Sequence, residues 1–399
     1  MDQRHTKRYR TWNKALQNKL TKTLQDRRSW SKTLFTGTEQ FSYFNRLKDL
    51  FPCHTISASS QPFQIPEASS ITMPLDFSCQ GQKKDSTAFL KETDTAALLV
   101  IHKGQLRYQD YSLTGGENVN WMSMSVGKSF VSALIGIALQ QGLINDIGEA
   151  ITEYVPELMG SAYQKVRIKD VLQMSSGARW TEDYNDPDSD IMRYIEAFGS
   201  GASLDQFTAS LVRERVPGTY HYYNSTDTQA LGMLLVRATQ KSLAEYAQEV
   251  LWQPLGMQDN AFWICDDLGM EMAAGGLQVT ARDYAKLGLL YLNKGLWQNI
   301  QVIPEAWVIN SVTPDADHLI PDKNAELPLG YGYHWWVPAG DQGEFAAIGV
   351  YNQFIYINPS HDLVIVKLSA NRAYGTTGKQ DTYREVESLE YFRAIAKAL

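Results

Sequence analysis

From about residue 95 the apolar positions follow two different periods, and the period separates strands from helices. Thr95-Ala96-Ala97-Leu98-Leu99-Val100-Ile101-His102 and Leu106-Arg107-Tyr108-Gln109-Asp110-Tyr111 flank Lys103-Gly104-Gln105 and read as a hairpin. Near the C-terminus, Phe345–Tyr351, Gln353–Ile357 and Leu363–Leu368 are rich in β-branched and aromatic residues and are punctuated by Asn358-Pro359-Ser360-His361-Asp362, which predicts adjacent antiparallel strands in the same sheet. Between these groups helical spacing dominates, over Val166–Met174, Leu204–Arg213, Thr228–Thr239 and Leu243–Leu251, and the chain closes on a helix from about Arg384 to Ala398. The pattern predicts an α+β protein: an antiparallel sheet flanked by N- and C-terminal helices, with an inserted all-helical lobe. The expected divisions are a basic N-terminal extension and linker over 1–80, a sheet domain made of 81–121 and 270–399, and a mostly helical lobe over 122–269. The Ser- and Pro-rich stretch Thr55–Pro74 is read as the linker that separates the extension from the body.

The first chemical signal lies at the entrance to an apolar helix. In Trp121-Met122-Ser123-Met124-Ser125-Val126-Gly127-Lys128-Ser129-Phe130, Ser125 and Lys128 are three residues apart at the start of the run Phe130, Val131, Leu134, Ile135, Ile137, Ala138, Leu139, so one helical turn puts them on one face. A serine hydroxyl needs a base to become a nucleophile, and a lysine serves only if burial lowers its pKa from about 10.4 toward neutrality. The competing reading is a serine helix cap with a lysine that snorkels to water. Gly127-Lys128-Ser129 is also the tail of a phosphate-binding loop, but the position where that loop needs its first glycine is Met122, so the backbone cradle is missing.

Further along, Pro217-Gly218-Thr219-Tyr220-His221-Tyr222-Tyr223-Asn224-Ser225 places a Tyr-x-Asn triplet, Tyr222 to Asn224, on a loop before the apolar helix Ala230–Val236. The order Ser-x-x-Lys, Tyr-x-Asn, then a glycine-bearing strand resembles the penicillin-recognising serine hydrolases of class C β-lactamase type. Within that group the chain is most similar to the branch of 6-aminohexanoate-dimer hydrolases and β-lactamase-like carboxylesterases. The resemblance runs from about Phe51 to the C-terminus and includes Asp170-Val171-Leu172-Gln173-Met174-Ser175-Ser176-Gly177, Pro254-Leu255-Gly256-Met257, Ala274-Gly275-Gly276-Leu277 and Gly330-Tyr331-Gly332-Tyr333-His334-Trp335-Trp336.

The resemblance implies a metal-independent serine hydrolase with no cofactor. Ser125 would be the acylated nucleophile, Lys128 its base and Tyr222 the proton relay to the leaving group. Asn224 would position the lysine or the substrate carbonyl, and the backbone N–H groups of Ser125 and Val350 would form the oxyanion hole. Where β-lactamases and transpeptidases carry a cationic Lys-Thr-Gly triplet for a substrate carboxylate, this chain has Ala347-Ile348-Gly349. Ile348 and Gly349 are accordingly expected to line the substrate site, with Tyr184 of Trp180-Thr181-Glu182-Asp183-Tyr184 as the contact to the amide, and a linear amide or short carboxylic ester is expected over a β-lactam. Two alternatives remain: a catalytically silent member of the same fold acting as a binding or regulatory protein, and a true β-lactamase or D-alanyl-D-alanine peptidase. Trp121, Tyr223, Trp335 and Trp336 are either cleft or core residues.

Composition changes the picture little. The chain has 399 residues, 44% of them hydrophobic, and a formal net charge of −7, which suits a large globular enzyme and gives no nucleic-acid footprint. Cys53, Cys79 and Cys265 form no metal or disulfide pattern, and the seven histidines are scattered, with His221 the one adjoining the Tyr-x-Asn triplet. No apolar run reaches bilayer length and the N-terminus has no signal-like apolar segment, so a cytoplasmic protein is expected. Residues 1 to about 33 are basic, and Tyr9, Trp12, Leu16, Leu20 and Leu24 recur at helical spacing. Such a helix either packs on its own domain or makes a weak contact with an anionic membrane surface or a partner; homodimerisation stays open.

Overall fold

A computed structural model describes residues 21–377 and 379–399. Its centre is an antiparallel sheet of seven strands, numbered here in chain order: β1 (Thr95–His102), β2 (Gln105–Tyr111), β3 (Leu329–Tyr331), β4 (Trp336–Pro338), β5 (Phe345–Gly349), β6 (Gln353–Asn358) and β7 (Leu363–Ser369). The spatial order is β3-β4-β5-β6-β7-β1-β2. The β1–β2 connection is a two-residue turn in which Lys103 and Gly104 both have positive φ, 53° and 71°, the geometry whose twist matches a tight hairpin.

Every residue of β1, β5, β6 and β7 is buried, because the sheet is covered on both faces. Alternation sorts their side chains: Leu99, Ile101, Ile355 and Val366 join the main core, whereas Leu98, Val100, Phe354, Tyr356 and Ile365 join a second cluster. Five of the longer helices are labelled α1 (Gly127–Gln140), α2 (Asp190–Gly199), α3 (Ser225–Thr239), α4 (Ala281–Leu292) and α5 (Glu385–Lys397). Helix α4 packs on β7, β6 and β1 from one side. Phe392, Leu389 and Ile395 of α5 fill the second cluster on the other.

The lobe between β2 and α4 holds α1, α2 and α3 together with shorter helices. It also carries Ala261–Ile264, which joins Cys53–Ile56, Leu277–Val279 and Trp121–Met122 in a small four-stranded sheet. The expected linker therefore begins inside that sheet: Thr55 pairs with Phe262, and further on Ser59 and Phe63 donate their backbone N–H groups to Met257 and Gly256. Its Ser and Pro content describes a chain without regular structure of its own, yet backbone donors can still be tied down by a neighbouring element. The N-terminal region is likewise part of the body where described. Residues 21–33 are helical, Trp30, Leu34, Phe44 and Leu47 lie in the main core, and Leu24 is half-buried. Tyr9, Trp12, Leu16 and Leu20, on which the amphipathic reading rested, lie outside the described residues. Among the described residues no helix is long and apolar enough to cross a membrane, and the three cysteines are free.

One buried charge in this scaffold has no catalytic neighbour. Lys367 on β7 is fully buried, donates to Ser369 Oγ at 2.6 Å and has its pKa held well below the usual lysine value by desolvation. A folded pKa below the unfolded one means that the protonated lysine disfavours the folded state, a cost that fades as pH rises toward about 10.4. Lys367→Met is expected to stabilise the fold by about 1 kcal/mol or more at pH 7, with the gap over the parent narrowing between pH 8 and 10 in urea titrations. A gap independent of pH would show that Lys367 is charged in the folded state.

Candidate active site

The tight turn Met124–Val126 leads directly into α1, and Met124 adopts φ 46°, a left-handed conformation uncommon for a residue with a Cβ. Two neighbours hold this turn. A methyl group on Gly275 would sit 3.1 Å from the Met124 backbone, and one on Gly349, the last residue of β5, would sit 3.0 Å from Ser125 N and 2.9 Å from Ser123 O. The end of the strand thus lies against the backbone of the turn, and only glycine permits that approach. The Val350 N–H that follows is not engaged by a backbone carbonyl among the described residues.

Lys128 is 2% exposed, and its ammonium donates to Ser125 Oγ and to the Ala274 carbonyl, both at 2.8 Å. Burial pushes its pKa down to about 8, against a smaller upward pull from Glu182. The same charge, together with burial, drives the His334 imidazole down to about 3, so that histidine is neutral.

The tyrosine beside Ser125 is Tyr223, where Tyr222 was expected. Tyr223 is half-buried, its ring lies 5.2 Å from Lys128 Nζ, and its phenol interacts with Ser125 while desolvation raises its pKa. Tyr222 is 42% exposed and stacks on Tyr220 outside the cavity. Asn224 is also displaced from the expected place. It is the N-cap of α3, its Oδ1 accepting from the backbone N–H of Thr226 at 2.9 Å and from the Thr226 hydroxyl at 2.5 Å. The displacement has a readable cause: an Asn that opens a helix turns its side chain back on the first turn, which leaves the residue before it and the residue after it to face the site. Asn224-Ser225-Thr226-Asp227 ahead of an apolar run carried that signal.

Ser225 and Glu182 border the candidate site and were missed by motif reading. Glu182 accepts from Ser225 Oγ at 2.7 Å, from the Ser225 N–H at 3.2 Å, from Tyr184 Oη at 2.8 Å and from the Trp180 indole. A lone glutamate on a polar loop has no sequence signature; Trp180 and Tyr184 are on its own loop, and Ser225 comes from the entrance of α3.

Two cavities meet at Ser125. One, of about 60 Å³, reaches Lys128 and is otherwise walled mainly by apolar side chains of α2 and the N-terminal segment. The other, of about 290 Å³, is lined by Glu182, Tyr223, Trp336, Ile348, Tyr374 and Glu385 among others, and Tyr184 and Val350 border both. Tyr374 donates to Glu385, whose carboxyl is pushed up to about 7 by burial. The structure thus brings Ser125, Lys128, Tyr184, Ile348, Gly349 and Val350 to one place and leaves Tyr222 and Asn224 out. Of the aromatic candidates, Trp336 and Tyr223 line the cleft, while Trp121 and Trp335 are fully enclosed in the core. His221 is half-buried against Tyr331, its pKa lowered to about 4 by desolvation, and borders neither cavity. Among the described residues no group of three His, Cys, Asp or Glu side chains is placed to hold a metal ion.

Comparison with known proteins gives the family and the fold. The chain is 28% identical over 342 residues to a 6-aminohexanoate-dimer hydrolase of Paenarthrobacter ureafaciens, covering 82% of this chain and 84% of that protein. It is 24% identical over 186 residues to a beta-lactamase of Yersinia enterocolitica, covering 45% of each. Among solved structures, a putative 6-aminohexanoate-dimer hydrolase from Bacillus anthracis superposes with a TM-score of 0.80 at 24% identity over 92% of this chain and 97% of the other. A family VIII carboxylesterase shares the fold, with a TM-score of 0.59 at 14% identity over 78% of this chain and 95% of its own. The beta-lactamase family model matches residues 87–390, most of the chain, and this chain therefore belongs to the beta-lactamase family.

Proposed function

We propose that the protein is a serine hydrolase that cleaves a linear amide or a short carboxylic ester through an acyl-enzyme on Ser125. The observation that carries this reading is the 2.8 Å hydrogen bond between a buried Lys128 and Ser125 Oγ. A lysine held there with a pKa of about 8 is a base at mildly alkaline pH. Neutral Lys128 takes the Ser125 proton as Oγ bonds to the substrate carbonyl carbon. The carbonyl oxygen then faces the N–H groups of Ser125 and Val350, donors of the kind worth on the order of a hundredfold in rate each. Tyr223 replaces Tyr222 as the relay: it passes a proton to the leaving oxygen or nitrogen as the carbonyl–leaving-group bond breaks. A water molecule then attacks the ester on Ser125, releasing the acid and returning the proton to the serine.

The charges of the larger cavity support a substrate without a carboxylate. Among the described residues it is lined by Glu182 and Glu385 and by no lysine or arginine. That agrees with the absence of a cationic triplet on β5 and disfavours penicillins and peptides with a free C-terminus. Tyr184 lies between the two cavities with its hydroxyl committed to Glu182, a place from which it can orient a substrate amide.

Brief exposure of the protein to p-nitrophenyl acetate, followed by acid quench and intact mass measurement, is expected to show one acetyl group per chain, mapped to Ser125 and absent in Ser125→Ala. Acetylation of Ser123 or Ser129 at comparable stoichiometry, or no adduct under any condition, would sink the reading.

A further inference from the structure

The apolar cavity beside Ser125 is closed by residues that precede the matched family segment. Trp30, Leu34 and Phe35 form one wall, and Ile191, Ile195 and Phe198 of α2 form another. The N-terminal wall is anchored at several points. Arg27 donates to the Leu50 carbonyl and to Asp267, both at 2.6 Å, and Phe51 stacks on Phe198 at 4.5 Å while meeting Trp30 edge-on at 5.4 Å. Phe35 adopts φ 60°, a costly conformation for an aromatic residue. Its N–H donates to Tyr351 Oη at 2.8 Å, and its ring stacks on Tyr184 at 4.3 Å and on Tyr351 at 5.1 Å. A backbone held in such a conformation by contacts on every side is a fixed boundary, not a loop that yields to whatever enters.

The place of Tyr223 decides which half of the substrate enters. A general acid must reach the leaving atom, and Tyr223 borders only the larger cavity. The leaving group therefore departs through the larger cavity and the acyl group occupies the apolar one. Its volume of about 60 Å³ has room for about four to six carbon-sized groups.

Resting on the serine hydrolase reading above, we propose that the N-terminal segment is a chain-length ruler: Trp30, Leu34 and Phe35 close the acyl pocket and restrict the enzyme to unbranched apolar acyl chains of about four to six carbons. Each methylene that enters an apolar pocket raises kcat/KM by about fourfold until the wall is met.

The test is a series of p-nitrophenyl esters, acetate, butyrate, hexanoate and decanoate, with the full-length protein. The wild type is expected to peak at butyrate or hexanoate and to fall at least tenfold by decanoate. Trp30→Ala is expected to raise the decanoate-to-hexanoate ratio of kcat/KM at least tenfold. Ile195→Phe, which fills the pocket from the opposite wall, is expected to lower the hexanoate-to-acetate ratio by a similar factor. Ratios within one variant are insensitive to the fraction of active enzyme, and melting curves identify a variant that does not fold; the wild-type profile and Ile195→Phe carry the test if Trp30→Ala is lost. A wild-type profile that is flat or still rising at decanoate, or ratios that stay within twofold in the folded variants, overturns the ruler. Failure of the underlying hydrolase reading shows itself separately, as the lack of an acyl group on Ser125 with the acetate ester.

Discussion

Lys128→Met is expected to lose at least a thousandfold in kcat while becoming more stable than the parent at neutral pH. The loss follows from removing the group that takes the serine proton, since base catalysis alone contributes about a hundred- to ten-thousandfold. The gain follows from linkage. The lysine has a folded pKa of about 8 against an ordinary value of 10.5, so stability is full above about 10.5 and is lost as pH falls through that window to about 8. Below pH 8 the penalty reaches about 3 kcal/mol. Methionine fills nearly the same volume with no charge to desolvate. The wild-type rate should accordingly rise with pH through an apparent pKa near 8 and level off above it, the sign expected of a base that works when neutral. Stopped-flow acylation rates from pH 6 to 10, together with urea titrations of both proteins, measure the two halves. A rate that falls through pH 8, or a Lys128→Met protein that is less stable at pH 7 and equally active, would show that the lysine is charged and structural.

The second large effect separates two adjacent tyrosines. Tyr223→Phe is expected to reduce kcat by about a hundredfold or more with little change in melting temperature. The phenyl ring keeps its stacking on Trp336 at 5.3 Å, and only the proton carrier is lost. Tyr222→Phe, on an exposed ring, is expected to stay within about threefold of the wild type. Combining Tyr223→Phe with Lys128→Met should cost less than the product of the single effects, because groups that act on one proton path are not additive. Equal losses in the two tyrosine variants, or a larger loss in Tyr222→Phe, would restore Tyr222 to the relay.

The tyrosine exchange also marks how far a linear reading reaches. Two overlapping triplets, Tyr222 to Asn224 and Tyr223 to Ser225, occupy one loop, and nothing in their composition ranks them. The choice is made by Asn224, which caps α3 and fixes the rotation of the helix entrance. A one-residue shift at such an entrance turns a side chain from the cavity to the solvent. The Ser125–Lys128 pair was legible for the opposite reason: both residues lie on one helical turn, so local geometry alone places them within reach. The hairpin β1–β2 and the closing helix α5 were legible on the same ground, as patterns whose period is set by the backbone of a single element.

What the sequence determined by itself is what depends on near neighbours: the α+β succession of strands and helices, the burial of α1, and the juxtaposition of Ser125 and Lys128. The tertiary structure alone decided the rest. Glu182 meets Ser225 only because α3 and the loop after Trp180 converge. The Ser- and Pro-rich stretch after residue 53 became part of the body because β-pairing partners lie more than two hundred residues away. Trp30 and Phe35 reached the apolar cavity beside Ser125 by packing on α2 and on the β5–β6 turn. Each of these contacts joins segments far apart in the chain, so its formation depends on the summed burial of the whole core, which no local window of residues encodes.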